Sequence, residues 1–327
     1  MPRVLIAPVY LQTPQGRHVD ILKGAGFDVR FPSPGANLSD PQVLLEELSG
    51  VDATLASIEP YPRTVLERST LRVIARNGVG YDAIDVAAAT ARGILVTNTP
   101  GANKEAVAEH AIALMLAVAH GFPKRDRLVR SGRWERKPMR RLAGQTLGLV
   151  GLGAIGREVA LRALALGVRV VASDPAPPEE FLRQYAVELV SFEELLGRAD
   201  MVSLHLPCNA QTNGFFDAGV FAKMKAGAVF INTARGALVD EDALVAALRS
   251  GRLAGAGLDV FQQEPLPANH PLLEIDTALL CPHMAGLDEQ SLEAMARLAA
   301  ESIVESYRGR PPGERVVNRE IAGSWKW

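Results

Sequence analysis

Short β-branched or leucine-rich runs recur along the chain, separated by stretches whose apolar residues fall at helical spacing. They read RVLIAPV, FDVRF, ATLAS, LRVIAR and ILVTN, then TLGLVG, RVVAS, VELV, MVSLHL, AVFINT, AGLDV and ALLCP. Alternation of this kind specifies parallel strands joined by crossover helices on both faces. The pattern therefore predicts an α/β protein of two doubly wound parallel-sheet domains. A boundary is expected at TPGANKEAVAEH, where Pro100, Gly101 and an N-cap at Asn103 turn the chain into a helix from Lys104 to about His120. Ala108, Ala111, Ile112, Met115, Leu116 and Ala119 recur on one side of it, yet Ala106, Val107, Ala113, Leu114 and Val118 cover the others. A helix apolar nearly all round is central in a domain or buried against another subunit, and a homodimer is expected. A second helix, from about Asp288 to Tyr307, gathers Leu292, Met295, Ala299, Ile303 and Tyr307 on one packing face. These signals assign residues 1–99 with 287–327 to one domain and 100–286 to the other.

At roughly 150 residues per domain, a chain of 327 residues agrees with two domains. Lys plus Arg (35) nearly balance Asp plus Glu (37), for a net charge of -2, so nothing pulls the whole chain toward nucleic acid or membrane. The longest uncharged apolar runs, 147–156 and 111–119, fall far short of the roughly 20 residues that span a bilayer. The start, MPRVLIAPVYLQ, suits a first β-strand better than a secretory signal. Cys208 and Cys281 show neither C-x-x-C spacing nor an adjacent His, so no disulfide framework or metal site is suggested and a reducing cytoplasm is expected.

Chemistry enters at GLGAIG, where Gly151, Gly153 and Gly156, with Ala154 and Ile155 between them, follow a strand and open a helix. Glycines so placed permit a tight turn, let backbone approach a pyrophosphate and seat the helix close on the strand. Alone the pattern is also that of a structural turn. Asp174, at the end of the strand RVVAS, sharpens it, because a carboxylate there can accept hydrogen bonds from adenosine ribose hydroxyls. It would also repel a 2'-phosphate, so NAD is expected in preference to NADP. A second glycine-bearing loop, Asn77, Gly78, Val79 and Gly80 after the strand LRVIAR, can turn backbone N–H groups toward a small anion.

The order and spacing of ARNGVGYDAID, EAVAEHAIALML, GLGAIGREVA, VSLHLP, INTARGALVDEDAL, GAGLDVFQQEPLP and CPHMAG resemble those of the NAD-dependent D-2-hydroxyacid dehydrogenases, in particular their D-3-phosphoglycerate dehydrogenase-like branch. The resemblance implies a flavodoxin-like substrate-binding domain, a Rossmann NAD-binding domain, and a catalytic set on Arg235, Glu264 and His283. The chemistry suits those residue types. Reduction of a 2-keto acid places a proton on oxygen, a task for His283; a carboxylate on its other nitrogen, Glu264, fixes the tautomer; and a guanidinium, Arg235, binds carboxylate and polarises the carbonyl. The resemblance also implies that Asn77–Gly80 holds the substrate carboxylate with Arg76 beside it. It further implies cofactor contacts from Leu206, Thr233, Ala234, Asp259 and Gly286. His18, His110, His120, His205 and His270 are read as structural.

One departure bears on substrate. Phosphoglycerate dehydrogenases commonly carry an Arg after the strand matching ATLAS, whereas this chain reads LASIEPYP with Glu59, which would face the substrate tail. A small 2-hydroxy acid or its 2-keto acid is therefore the expected partner, with a glyoxylate or hydroxypyruvate reductase as the nearest alternative. An NAD-sensing corepressor is the alternative of a different class.

Overall fold

All twelve apolar runs form strands in the computed structural model, which describes residues Met1–Trp327. They divide between two units, Met1–Asn103 with Asp288–Trp327, and Lys104–Leu287. The first unit contains β1 (Arg3–Ile6), β2 (Asp28–Arg30), β3 (Ala53–Ala56), β4 (Val73–Arg76) and β5 (Leu95–Thr97), in the order β2-β1-β3-β4-β5 and all parallel. β3 is buried along its whole length, which is why it reads as an apolar run rather than an alternation. On one face, Val4, Ile6, Leu55 and Val73 pack against Ala296, Ala299 and Ile303 of the helix Glu289–Tyr307, so the end of the chain completes the core begun at its start.

That helix is capped by Asp288, whose carboxylate accepts the Ser291 N–H at 2.6 Å. Its buried face differs from the expected one. Tyr307 is 38% exposed and uses its ring edge-on against Phe27 and Trp327. Ser302 and Ser306 are fully buried instead, their hydroxyls returned to the carbonyls of Leu298 and Ser302 at 2.7 Å each. A serine that bonds its own helix backbone packs as a small apolar residue, which a hydropathy pattern does not register.

The second unit carries β6 (Thr146–Val150), β7 (Arg169–Ser173), β8 (Val187–Leu189), β9 (Met201–Leu204), β10 (Ala228–Asn232), β11 (Leu253–Leu258) and β12 (Ala278–Leu280). Their order is β12-β11-β10-β9-β6-β7-β8, all parallel. The helix Lys104–Ala119 lies at the centre of this unit, against β10, β11 and the helix Ala154–Ala165. Its seat is cut by glycines: a Cβ at Gly257 would come within 2.9 Å of Leu114 Cβ, and one at Gly255 within 2.7 Å of Val118. Eight of its residues are buried by these neighbours, so its apolar circumference needs no partner subunit to explain it. Asn103 does not supply the expected side-chain cap, because its Oδ1 is buried without a hydrogen bond. No single helix of the chain is long and apolar enough to cross a membrane.

Both sheets reverse strand order once, between β1 and β3 in the first unit and between β6 and β9 in the second. Loops leaving the carboxyl ends of strands at such a reversal form a crevice, the usual ligand position in open α/β sheets.

Candidate active site

The glycine turn follows β6 at the reversal. Gly151 has φ 97, and a Cβ there would lie 2.6 Å from the carbonyl oxygen of His205, beside the Leu206 amide. A Cβ at Gly156 would lie 2.3 Å from the Gly151 carbonyl oxygen. These two glycines let the turn, the helix and the end of β9 close on one another. Gly153 differs, since a Cβ there would meet nothing within 4 Å. It is the N-cap of Ala154–Ala165 and supplies no side-chain cap, so the amides of Ala154, Ile155 and Gly156 open the helix under free space, as an anion requires.

Asp174 is tied to this turn, accepting the Leu152 N–H at 2.6 Å and the Ala176 N–H at 2.8 Å. Each carboxylate oxygen keeps a lone pair for a ribose hydroxyl. At the end of β10, Thr233 Oγ1 is buried with no partner in the protein, an acceptor and donor left for a ligand. The anion cradle, the carboxylate and the orphaned hydroxyl fit a dinucleotide.

The proposed proton-transfer residues lie in the same unit. His283 Nδ1 and Glu264 Oε2 are 2.6 Å apart, and Glu264 Oε1 accepts the Phe261 N–H at 2.9 Å. Burial alone would raise the Glu264 pKa; the hydrogen bonds from His283 and Phe261 outweigh it and hold this carboxyl below its ordinary range. The turn after Arg235 packs on the Glu264 loop at Gly236, where a Cβ would fall 1.9 Å from the Phe261 carbonyl carbon, and the Arg235 guanidinium donates to the Ala234 carbonyl at 2.6 Å. Asn232 shapes the same turn, donating to the Arg235 carbonyl at 2.8 Å and accepting the Ala234 N–H at 3.0 Å. Asn232 escaped the sequence reading, its only signal being a polar residue closing an apolar strand.

Asp259, expected at the cofactor, also holds backbone of the catalytic loop. Its side chain is wholly buried, and its two oxygens accept the N–H groups of Met284 at 2.9 Å and Ala285 at 2.8 Å. Gly286 follows in the same turn. The remaining histidines separate cleanly. His205 bonds Ser203 Oγ at 2.9 Å, and burial pushes its pKa down to about 4. His18 is lowered by burial too, and His270 lies 3.1 Å from Glu241 while its Nδ1 caps a short turn. His110 alone reaches the region of the catalytic loop, with Nε2 3.4 Å from Asp259 Oδ1.

In the first unit, the loop after β4 is held from several sides. Asn77 is 1% exposed and donates to the Tyr10 hydroxyl at 2.8 Å, Thr99 Oγ1 accepts the Gly78 N–H at 3.0 Å, and Asn98 donates to the Val79 carbonyl at 2.8 Å. The Gly78 amide is thus spent inside the protein, leaving the amides of Val79 and Gly80 as the groups that can meet an anion. Gly78 serves by its shape: φ is 146, and a Cβ would collide with the Arg76 guanidinium. Arg76 folds over this loop and donates to the Asn77 carbonyl. Glu59, expected to face the substrate tail, is held by the protein. It is 6% exposed, accepts the Ser57 N–H at 2.6 Å, and has its pKa raised by burial against the opposing pull of that amide and of Arg76.

A family model described as the D-isomer specific 2-hydroxyacid dehydrogenase NAD binding domain matches residues 112–285. The chain is 41% identical over 288 residues to a glyoxylate reductase of Korarchaeum cryptofilum, covering 86% of each. It is 44% identical over 243 residues to a D-3-phosphoglycerate dehydrogenase of Archaeoglobus fulgidus, covering 74% of this chain and 46% of that one. Among solved structures, a glyoxylate reductase from Paecilomyes thermophila superposes with a TM-score of 0.85 at 32% identity, covering 98% of this chain and 99% of that one.

Proposed function

The chain belongs to the D-isomer-specific 2-hydroxyacid dehydrogenase family, NAD-dependent oxidoreductases of 2-hydroxy acids, and on that premise we propose that it reduces small 2-keto acids with His283 as the proton donor. The observation that carries this reading is the 2.6 Å contact of His283 Nδ1 with Glu264. With Nδ1 so engaged, Nε2 is the nitrogen left to exchange a proton with a substrate oxygen, and the carboxylate stabilises the imidazolium before the proton leaves. Arg235 binds the substrate carboxylate and polarises its carbonyl. Within the first unit, the Val79 and Gly80 amides would meet a small anion. Gly151, Gly153, Ala154, Ile155, Gly156, Asp174 and Thr233 would hold NAD, which when bound supplies or accepts the hydride.

Substrate choice follows from Arg76 and Glu59. Arg76 is turned onto the Asn77 carbonyl with buried Glu59 beside it, so a phosphate dianion would meet a guanidinium already engaged within the protein and a neighbouring carboxyl group. Glyoxylate and hydroxypyruvate suit this arrangement better than a phosphorylated acid. Steady-state kinetics with NADH decides it: a kcat/KM for 3-phosphohydroxypyruvate more than about tenfold above that for hydroxypyruvate, roughly 1.4 kcal/mol in transition-state binding, would overturn the choice.

The same reading includes a homodimer in a reducing cytoplasm. The dimer is supported by Phe122, Val129, Trp134 and Met139, large apolar side chains exposed along one continuous stretch. Light scattering at micromolar concentration should return twice 35.1 kDa; the monomer mass rejects the dimer.

A further inference from the structure

His110 stands under the catalytic loop without a part in proton transfer. It projects from Lys104–Ala119, and its Nε2 lies 3.4 Å from Asp259 Oδ1. Asp259 is wholly buried, a position in which a carboxylate is unfavourable by several kcal/mol unless it is paired. What it holds is consecutive backbone. Its carbonyl accepts the His283 N–H at 2.8 Å, and its carboxylate accepts those of Met284 at 2.9 Å and Ala285 at 2.8 Å. His283 meanwhile has φ 51, the one non-glycine residue of the chain in the left-handed region, a conformation that costs on the order of 1 kcal/mol and persists where its surroundings impose it.

We propose that His110 is a positioning residue for this reaction: as an imidazolium it keeps Asp259 charged and seated, and Asp259 fixes the 283–285 backbone so that the His283 ring meets Glu264. The proposal rests on reading His283 as the proton donor. Two titratable side chains bear on His110. Asp259 and Cys281 face it from beyond β11 and β12, whereas Glu158 and Arg162, on the neighbouring helix, are engaged with Lys104, Glu109 and each other. The Asp259 carboxylate, and after it Cys281, push His110 up to about 9 against the burial that would lower it. Burial would raise Asp259, but His110 and the two loop amides hold it below its ordinary value.

Hydroxy-acid oxidation separates the two histidines, because there His283 must take up a proton and its own deprotonation cannot slow the step. Turnover of D-glycerate with NAD should fall about tenfold as pH rises through about 9. In His110→Gln, kcat should already be about tenfold lower at pH 8 and show no such fall, with KM changed less than about threefold. His110→Lys, which keeps a cation, should recover most of the loss, and Cys281→Ser should keep the fall. A fall that survives in His110→Gln, or that vanishes in Cys281→Ser, overturns the proposal. The wild-type enzyme gives a test independent of any variant's folding: with 13C-labelled histidine, the ring signal absent from His110→Gln should titrate near pH 9, and titration below pH 7 overturns the positioning role. Full turnover in His283→Ala would overturn the underlying reading as well, so the two failures are distinct.

Discussion

At the scale of single residues, the proton-transfer pair makes two unequal demands. On the proposed reading His283 carries the proton, so His283→Ala should lower kcat by about a hundredfold or more while NADH binding is retained. Glu264 acts through His283. Gln in its place can still accept the Phe261 N–H but cannot stabilise an imidazolium, so Glu264→Gln should lose about tenfold in kcat. Equal losses in the two variants would show that the carboxylate is itself indispensable to proton transfer. That the two side chains meet was legible in the sequence because each sits in a motif of distinctive order. His110 was not. A lone His on an apolar helix reads as a core residue, and its partner Asp259 comes from a strand far along the chain, so no local spacing announces the pair. The burial of Glu59 was not legible either, because it depends on the Ser57 N–H and Arg76 that make a buried carboxyl tolerable.

At the scale of elements, the three glycines of the turn separate fold from function. Gly156 has backbone in its way, with a hypothetical Cβ 2.3 Å from the Gly151 carbonyl oxygen, so Gly156→Ala should destabilise the second unit by about 1–3 kcal/mol. Gly153 has open space and φ -66, so Gly153→Ala should fold within about 1 kcal/mol of wild type yet weaken NADH binding by about tenfold, its methyl standing where a pyrophosphate would approach. Thermal melts and fluorescence titration of NADH check both, and a Gly153→Ala variant with unchanged affinity would remove the turn from the cofactor site. The strands were legible as a set because parallel strands buried on both faces leave unbroken apolar runs. Helix surroundings were less so. That Lys104–Ala119 is enclosed by its own unit depends on Gly255 and Gly257 admitting it onto β11, a complementarity between elements that periodicity within one of them does not express.

At the scale of the whole molecule, two histidines with opposite shifts bound the pH range of the folded state. His205 is pushed down to about 4 by burial. Between its ordinary value of about 6.5 and that folded value the unfolded chain binds more protons, so stability is lost as pH falls through this window. His110 is pushed up to about 9, chiefly by Asp259. Its contribution is fully present below about 6.5 and is lost as pH rises through about 9, because there the native state binds the extra proton. Each window is worth on the order of 3 kcal/mol at 1.36 kcal/mol per pKa unit, a large share of the roughly 5–15 kcal/mol by which a domain is stable. Thermal unfolding should therefore show Tm highest between about pH 6 and 7 and lower on both sides. His110→Gln should flatten the alkaline side alone and His205→Asn the acid side alone. An alkaline decline that persists undiminished in a folded His110→Gln variant would mean that the charge on His110 does not hold the second unit together at neutral pH.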